Sequence, residues 1–129
     1  MKKIIHSDDA PKAVGPYSQA VRTGNLLFTA GQVPLDPATG KLVEGDIKAQ
    51  AEQAMKNLQA VLAAAGTSFE HVVKTTVYLA DIADYVGMNE VYGRYITTDF
   101  PARSAFAVRD LPLGAKVEIE MIVEIPEAG

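Results

Sequence analysis

From Ile47 onward, apolar side chains recur at Ile47, Ala51, Ala54, Met55, Leu58, Val61, Leu62 and Ala65, while Lys48, Glu52, Lys56 and Gln59 fall mostly on the opposite side. This three-and-four spacing predicts an amphipathic helix. Asp46 precedes it with a carboxylate able to accept from first-turn amides, and Gly66 follows it as a residue free to take the left-handed conformation that ends helices. Val72 to Ala80 is β-branched and aromatic, which predicts a strand. Behind Asp81, the positions Ile82, Tyr85, Asn89, Tyr92 and Ile96 repeat at three and four residues and predict a second helix, weakened by Gly87 and Gly93.

Elsewhere the pattern alternates. Tyr17 to Thr23 and Leu26 to Ala30 flank Gly24-Asn25, a dipeptide suited to a two-residue hairpin. Asp36-Pro37-Ala38-Thr39-Gly40 stacks turn formers into a surface loop. Ala102 to Arg109 and Lys116 to Ile125 read as strands joined by a turn at Leu111-Pro112-Leu113-Gly114, and so as a closing hairpin. In the last strand Val117, Ile119, Met121, Val123 and Ile125 share one face, and Lys116, Glu118, Glu120, Ile122 and Glu124 share the other. The order of strand, hairpin, helix, strand, helix and hairpin implies an α+β fold, a mixed sheet with two helices packed on one face. Two helices cover one face only, yet Ile122, Phe106, Val108, Val72 and Tyr78 keep the other from being uniformly polar, which predicts self-association.

Length and charge narrow the function. The 129 residues fit a single domain, 1–129. Twelve basic against sixteen acidic side chains give a net charge of −4, the wrong sign for a surface that gains affinity by neutralising phosphates, so no nucleic-acid partner is expected. The absence of cysteine excludes disulfides, thiolate metal sites and a cysteine nucleophile. No apolar run suits a signal peptide or a membrane span, so neither membrane association nor secretion is expected and the location reads as cytoplasmic.

Common catalytic machinery is missing. There is no GxSxG and no phosphate-cradling glycine loop, and His6 and His71 lie far apart without a ligand pattern. Arg103 opens a strand of small and apolar residues, where a guanidinium needs a partner: a structural carboxylate, or the carboxylate of a ligand, which its planar fork suits. Glu120 is either a solvated glutamate or a base. If the last two strands pair as a hairpin turning near 112 and 113, Arg103 and Glu120 become diagonal neighbours on one face, about 7–8 Å apart. Asn89 interrupts an apolar stripe, and its amide needs partners in structure or in a pocket wall. Tyr17, behind Gly15-Pro16, either packs or lines a cleft with its hydroxyl.

Gly15-Pro16-Tyr17-Ser18-Gln19-Ala20, Gly31-Gln32-Val33-Pro34, Phe100-Pro101-Ala102-Arg103-Ser104 and Val117-Glu118-Ile119-Glu120 together resemble the RidA/YjgF family of reactive-intermediate (imine) deaminases, in order and over nearly the whole chain. The resemblance implies a chorismate-mutase-like fold assembled as a homotrimer with clefts between neighbouring subunits. It implies hydrolysis of 2-aminoacrylate and 2-aminocrotonate, through their imine tautomers, to 2-oxo acids and ammonia. These enamines leave pyridoxal-phosphate enzymes such as threonine and serine dehydratases. It further implies that Arg103 clamps the substrate carboxylate and Glu120 positions or deprotonates water. Tyr17, the Ala30-Gly31 backbone, Asn89 and the main chain at Ala105 complete the pocket, with no metal or cofactor required. Ala105 stands where many members carry cysteine, and Ala30 where many carry serine. A non-catalytic trimeric sensor of 2-oxo acids is the alternative. A ribonuclease or translation inhibitor, attached to some relatives, is disfavoured by the acidic balance and the lack of a histidine pair.

Overall fold

The computed structural model describes residues 1–127. Six strands form one sheet: β1 (Lys3–Ile5), β2 (Ala20–Thr23), β3 (Leu26–Thr29), β4 (Val72–Leu79), β5 (Ala102–Ala107) and β6 (Val117–Glu124), in the order β1-β2-β3-β6-β4-β5. Two helices, α1 (Ile47–Ala64) and α2 (Tyr85–Tyr95), cover one face. The expected α+β layering of a mixed sheet under two helices is what the chain adopts.

Local chemistry explains most of the boundaries. Asp46 accepts from the Ala49 amide at 3.0 Å and starts α1, while Gly66, at φ +81°, ends it. Gly24, at φ +58°, allows Thr23 and Leu26 to close the β2–β3 hairpin directly. Strand β2 starts at Ala20 instead of Tyr17, because Gly15 takes φ +134° and the Tyr17 amide turns back to the Gly15 carbonyl at 2.9 Å. Asp81 caps a single 3₁₀ turn, Ile82–Asp84, so the second helix proper begins at Tyr85.

The closing hairpin does not form. Strand β4 lies between β5 and β6, antiparallel to β6 and parallel to β5, with α2 as the crossover that a parallel pair needs. The turn at Pro112–Gly114 exists, but it carries the chain across the end of β4 to a strand two places away. This changes which residues share a face. Arg103 is in register with Thr75 and then Met121, both buried under the helices. Glu120 is in register with Thr76 and then Ser104, on the uncovered face. The expected one-face pairing of Arg103 with Glu120 is therefore overturned within a single chain.

The core sits between sheet and helices, where Val77, Val117, Ile119, Met121 and Val123 meet Met55, Leu58, Val61, Leu62, Met88 and Val91. The alternation expected of the last strand is realised, buried residues on the helix side and half-buried ones opposite. Val72 departs from expectation: a bulge between Val72 and Lys74 turns it to the buried side, paired with Val123. Ile4, Leu26, Phe28 and Phe106 stay exposed, and Tyr78 packs edge-on against Phe106 at 5.3 Å.

Candidate functional site

Arg103 points from edge strand β5 toward α2. Its Nη2 donates to the Tyr85 hydroxyl at 2.9 Å, and its Cζ lies 5.6 Å from the Tyr85 ring centroid and 4.8 Å from that of Tyr92. Such cation–π contacts are worth roughly 0.5–2 kcal/mol each, depending on desolvation. Among the described residues Arg103 forms no salt bridge, so the structural ion pair that would have explained it is not made. The guanidinium is seated on neutral rings, and no acid among the described residues compensates its charge.

Spacing on α2 builds this seat. Tyr85, Asn89 and Tyr92 lie one turn apart along α2, and the rings of Tyr85 and Tyr92 both meet the Arg103 guanidinium. The Asn89 side-chain amide, ahead of the Arg103 charge, pulls the Tyr85 phenol below its ordinary pKa. Tyr92 is held by Thr75, hydroxyl to hydroxyl at 2.9 Å, and burial pushes its phenol up. Asn89, Tyr92 and Arg103, with Gly93, Ile96, Phe100 and Pro101, line a cavity of about 350 Å³. Ala105 lies two residues along β5 from Arg103, on the same face and half-buried against the core.

Tyr17, Ala30 and Gly31 line a different cavity, of about 590 Å³, together with Glu118. Paired backbone bonds between Gln32 and Ile119, 2.8 and 3.2 Å long, hold Gly31 against β6. A Cβ at Gly31 would lie 2.7 Å from the Glu118 carboxyl carbon, so only glycine leaves that carboxylate its place. Glu118 is half-buried, and burial, followed by the charge of Glu120, holds its carboxyl above the ordinary range. Glu120 itself accepts from the Tyr78 hydroxyl at 2.6 Å, a bond that, with burial, pushes the phenol up to about 12.

The chain thus brings Arg103, Asn89 and Ala105 together on one side, and Tyr17, Ala30 and Gly31 together elsewhere, with Glu120 on the uncovered sheet face. Sequence reasoning missed three participants: Tyr85 and Tyr92 as the seat of Arg103, and Glu118 as the carboxylate of the larger cavity. The first two were signalled by a stripe in which Asn89 sits between tyrosines at helical spacing. Nothing local separates Glu118 from Glu120, since both alternate onto one face and only the bridge to Gln32 distinguishes them.

The sequence matches the family described as Endoribonuclease L-PSP over residues 7–125. The chain belongs to this family, the RidA/YjgF family. Among RidA/YjgF relatives, Protein DfrA of Myxococcus xanthus is 57% identical over 123 residues, covering 94% of each chain. The human protein named 2-iminobutanoate/2-iminopropanoate deaminase is 46% identical over 122 residues, covering 95% of this chain and 89% of its own. The crystal structure of Escherichia coli TdcF with bound serine superposes with a TM-score of 0.91 at 38% identity, covering 96% of this chain and 99% of that one. Among the described residues no helix is long and apolar enough to cross a membrane.

Proposed function

We propose that this RidA/YjgF protein hydrolyses 2-imino acids to 2-oxo acids and ammonia, in clefts formed between copies of the chain in a homotrimer. One observation carries the reading: Arg103 is held by phenol and ring faces at a cavity wall, with no acidic partner among the described residues. A guanidinium so placed suits a ligand carboxylate, which it can engage by two parallel hydrogen bonds. The human relative's name, and the serine bound to TdcF, support a small carboxylate-bearing substrate.

The reaction needs little beyond orientation and one proton carrier. Water adds to C2 of the imine, forming a C–O bond as the C=N electrons move to nitrogen, which takes a proton. The C2–N bond then breaks, ammonia leaves and the carbonyl forms, so imine plus water balances 2-oxo acid plus ammonia without a metal or cofactor. A positioned general base or acid contributes about 10²–10⁴-fold. Glu120 was expected to handle the water. The cavity geometry favours Glu118 for that contact, with Glu120 behind it as a positioning residue whose charge raises the Glu118 pKa. Tyr17 and the Ala30-Gly31 backbone border the same space.

Two chains are needed. Strands β5 and β6 are two spacings apart, about 10 Å between backbones, and Arg103 and the glutamates leave opposite faces. A seven-atom imino acid cannot touch both ends in one chain, whereas the uncovered face with Phe28 and Phe106 suits contact with another copy. Three copies follow the family resemblance, as do cytoplasmic location and supply of substrate by pyridoxal-phosphate dehydratases. The ribonuclease in the family description gains nothing from this chain, whose histidines pair separately, His6 with Asp8 and His71 with Glu70.

The test mixes the protein with a threonine dehydratase and threonine and follows imine decay at alkaline pH. Acceleration that Arg103→Ala abolishes is expected. Equal acceleration by Arg103→Ala removes the clamp, and carboxylate binding without any acceleration identifies a sensor instead.

A further inference from the structure

Arg103 forms no ion pair with a carboxylate among the described residues, yet a weaker acid touches it. The Tyr85 hydroxyl, half-buried at the start of α2, accepts from its Nη2 at 2.9 Å. A phenol is neutral at neutral pH and leaves the guanidinium charge free for a ligand. A phenolate in the same place is a full counter-ion, joined to the guanidinium by a charge-assisted hydrogen bond that is already in line.

The surroundings favour that ionisation. From α2 itself come the Asn89 amide and Tyr92, whose hydroxyl is engaged by Thr75. Helix α1 presents Lys48 and Glu52 to α2, but Lys48 is paired with Glu90 at 2.5 Å and Glu52 with the Tyr95 hydroxyl. The turn before Tyr85 holds Asp81, which accepts from the Ala83 amide at 2.9 Å, and Asp84. Against both acids and partial burial, Asn89 first and Arg103 second keep the Tyr85 phenol below its ordinary pKa. Hydrogen bonding to Glu120 pushes Tyr78, and burial pushes Tyr95, up to about 12, and burial raises Tyr92 as well. Tyr85 therefore loses its proton ahead of all three.

We infer that Tyr85 is a titratable counter-ion for Arg103: once its phenol has given its proton to water, the phenolate pairs with the guanidinium and displaces a ligand carboxylate, so that the site releases its ligand in alkaline solution. This rests on the reading of Arg103 as a carboxylate clamp and adds its regulation. The coupling is reciprocal, and a carboxylate bound to Arg103 must raise the pH at which Tyr85 ionises.

The probe is 2-oxobutanoate, whose carboxylate stays ionised throughout, titrated calorimetrically into the intact protein from about pH 7 to about pH 10.5. Relative to its own affinity at neutral pH, the parent should bind at least about tenfold more weakly at the alkaline end, whereas Tyr85→Phe, whose ring cannot ionise, should stay within about twofold. Any other group that loses a proton in this range acts on both proteins alike. Near-ultraviolet absorbance of phenolate, which no tryptophan obscures, gives a second reading on the parent alone: its earliest transition should move to higher pH with saturating 2-oxobutanoate. Equal weakening in both proteins, or a phenolate transition that the probe does not move, overturns the inference and leaves the clamp standing. A parent that fails to bind 2-oxobutanoate at neutral pH, or an Arg103→Ala variant that binds it equally well, removes the clamp reading and the inference with it.

Discussion

The Arg103 guanidinium stands 4.8 Å from the centroid of the Tyr92 ring, and Tyr92 is anchored in turn by Thr75 in the core of the sheet. A charge seated this way is fixed in place by groups that do not neutralise it. The difference between a seat and an ion pair separates a binding arginine from a structural one, and it leads to measurable consequences.

Arg103→Lys keeps the charge but loses the planar fork and the ring stacking. With charge-assisted hydrogen bonds worth about 1.5–3 kcal/mol, kcat/KM for a small 2-imino acid should fall about 10–100-fold. Steady-state kinetics check this. A lysine variant within twofold of the parent would mean that a point charge suffices.

Tyr85→Phe removes the acceptor of the Arg103 bond and leaves a ring. The loss of one such bond, about 0.5–1.5 kcal/mol, should raise KM about two- to tenfold with little change in kcat. Tyr85 is half-buried outside the main core, so the melting temperature should hold.

Glu118 predicts the pH dependence. Its pKa is raised in the folded chain, so as a base it becomes active only as pH rises through that raised value. Removing the neighbouring charge with Glu120→Gln should move the acid limb of kcat/KM to lower pH. The limb should not return fully to the ordinary carboxylate range, because burial is the larger cause. Stability follows the same sign: a raised pKa favours the fold below the unfolded pKa, and that contribution is lost as pH rises through the folded one. Glu118→Gln should therefore gain melting temperature over the parent as pH increases across this window, as thermal melts at a pH series would show.

Gly31→Ala separates activity from folding. The new methyl meets the far end of the Glu118 side chain, which can swing away at small energetic cost, so the melting temperature should change little. The carboxylate would be displaced from the cavity, and a misplacement of about 1 Å can cost on the order of 10²-fold in rate. Kinetics alongside a thermal melt check both halves.

The helices, the first hairpin and the fourth strand were legible in the sequence because each is signalled locally: Asp46 and Gly66 bracket α1, Gly24-Asn25 makes a two-residue turn, and Val72 to Leu79 is β-branched. Strand order was not. Pairing of β5 with β4 is a long-range choice, made because α2 provides a crossover that lets Val77 and Ala105 share the helix side, and nothing around Pro112–Gly114 announces that the turn spans an intervening strand. The site inherited that gap. Arg103 and Asn89 were readable as a polar intrusion into apolar patterns, while the placement of Glu118 in the wall of the larger cavity depends on where Gln32 bridges β6.

The most direct measurement is complementation between two inactive variants, Arg103→Ala and Glu118→Ala, co-expressed with different tags and purified as mixed oligomers. If each site takes its arginine from one chain and its glutamate from a neighbour, random mixing restores about one quarter of the sites, and activity should return to about that fraction of the parent. Mixed oligomers as inactive as either variant alone, or chains that form no oligomer, would contradict a site shared between copies.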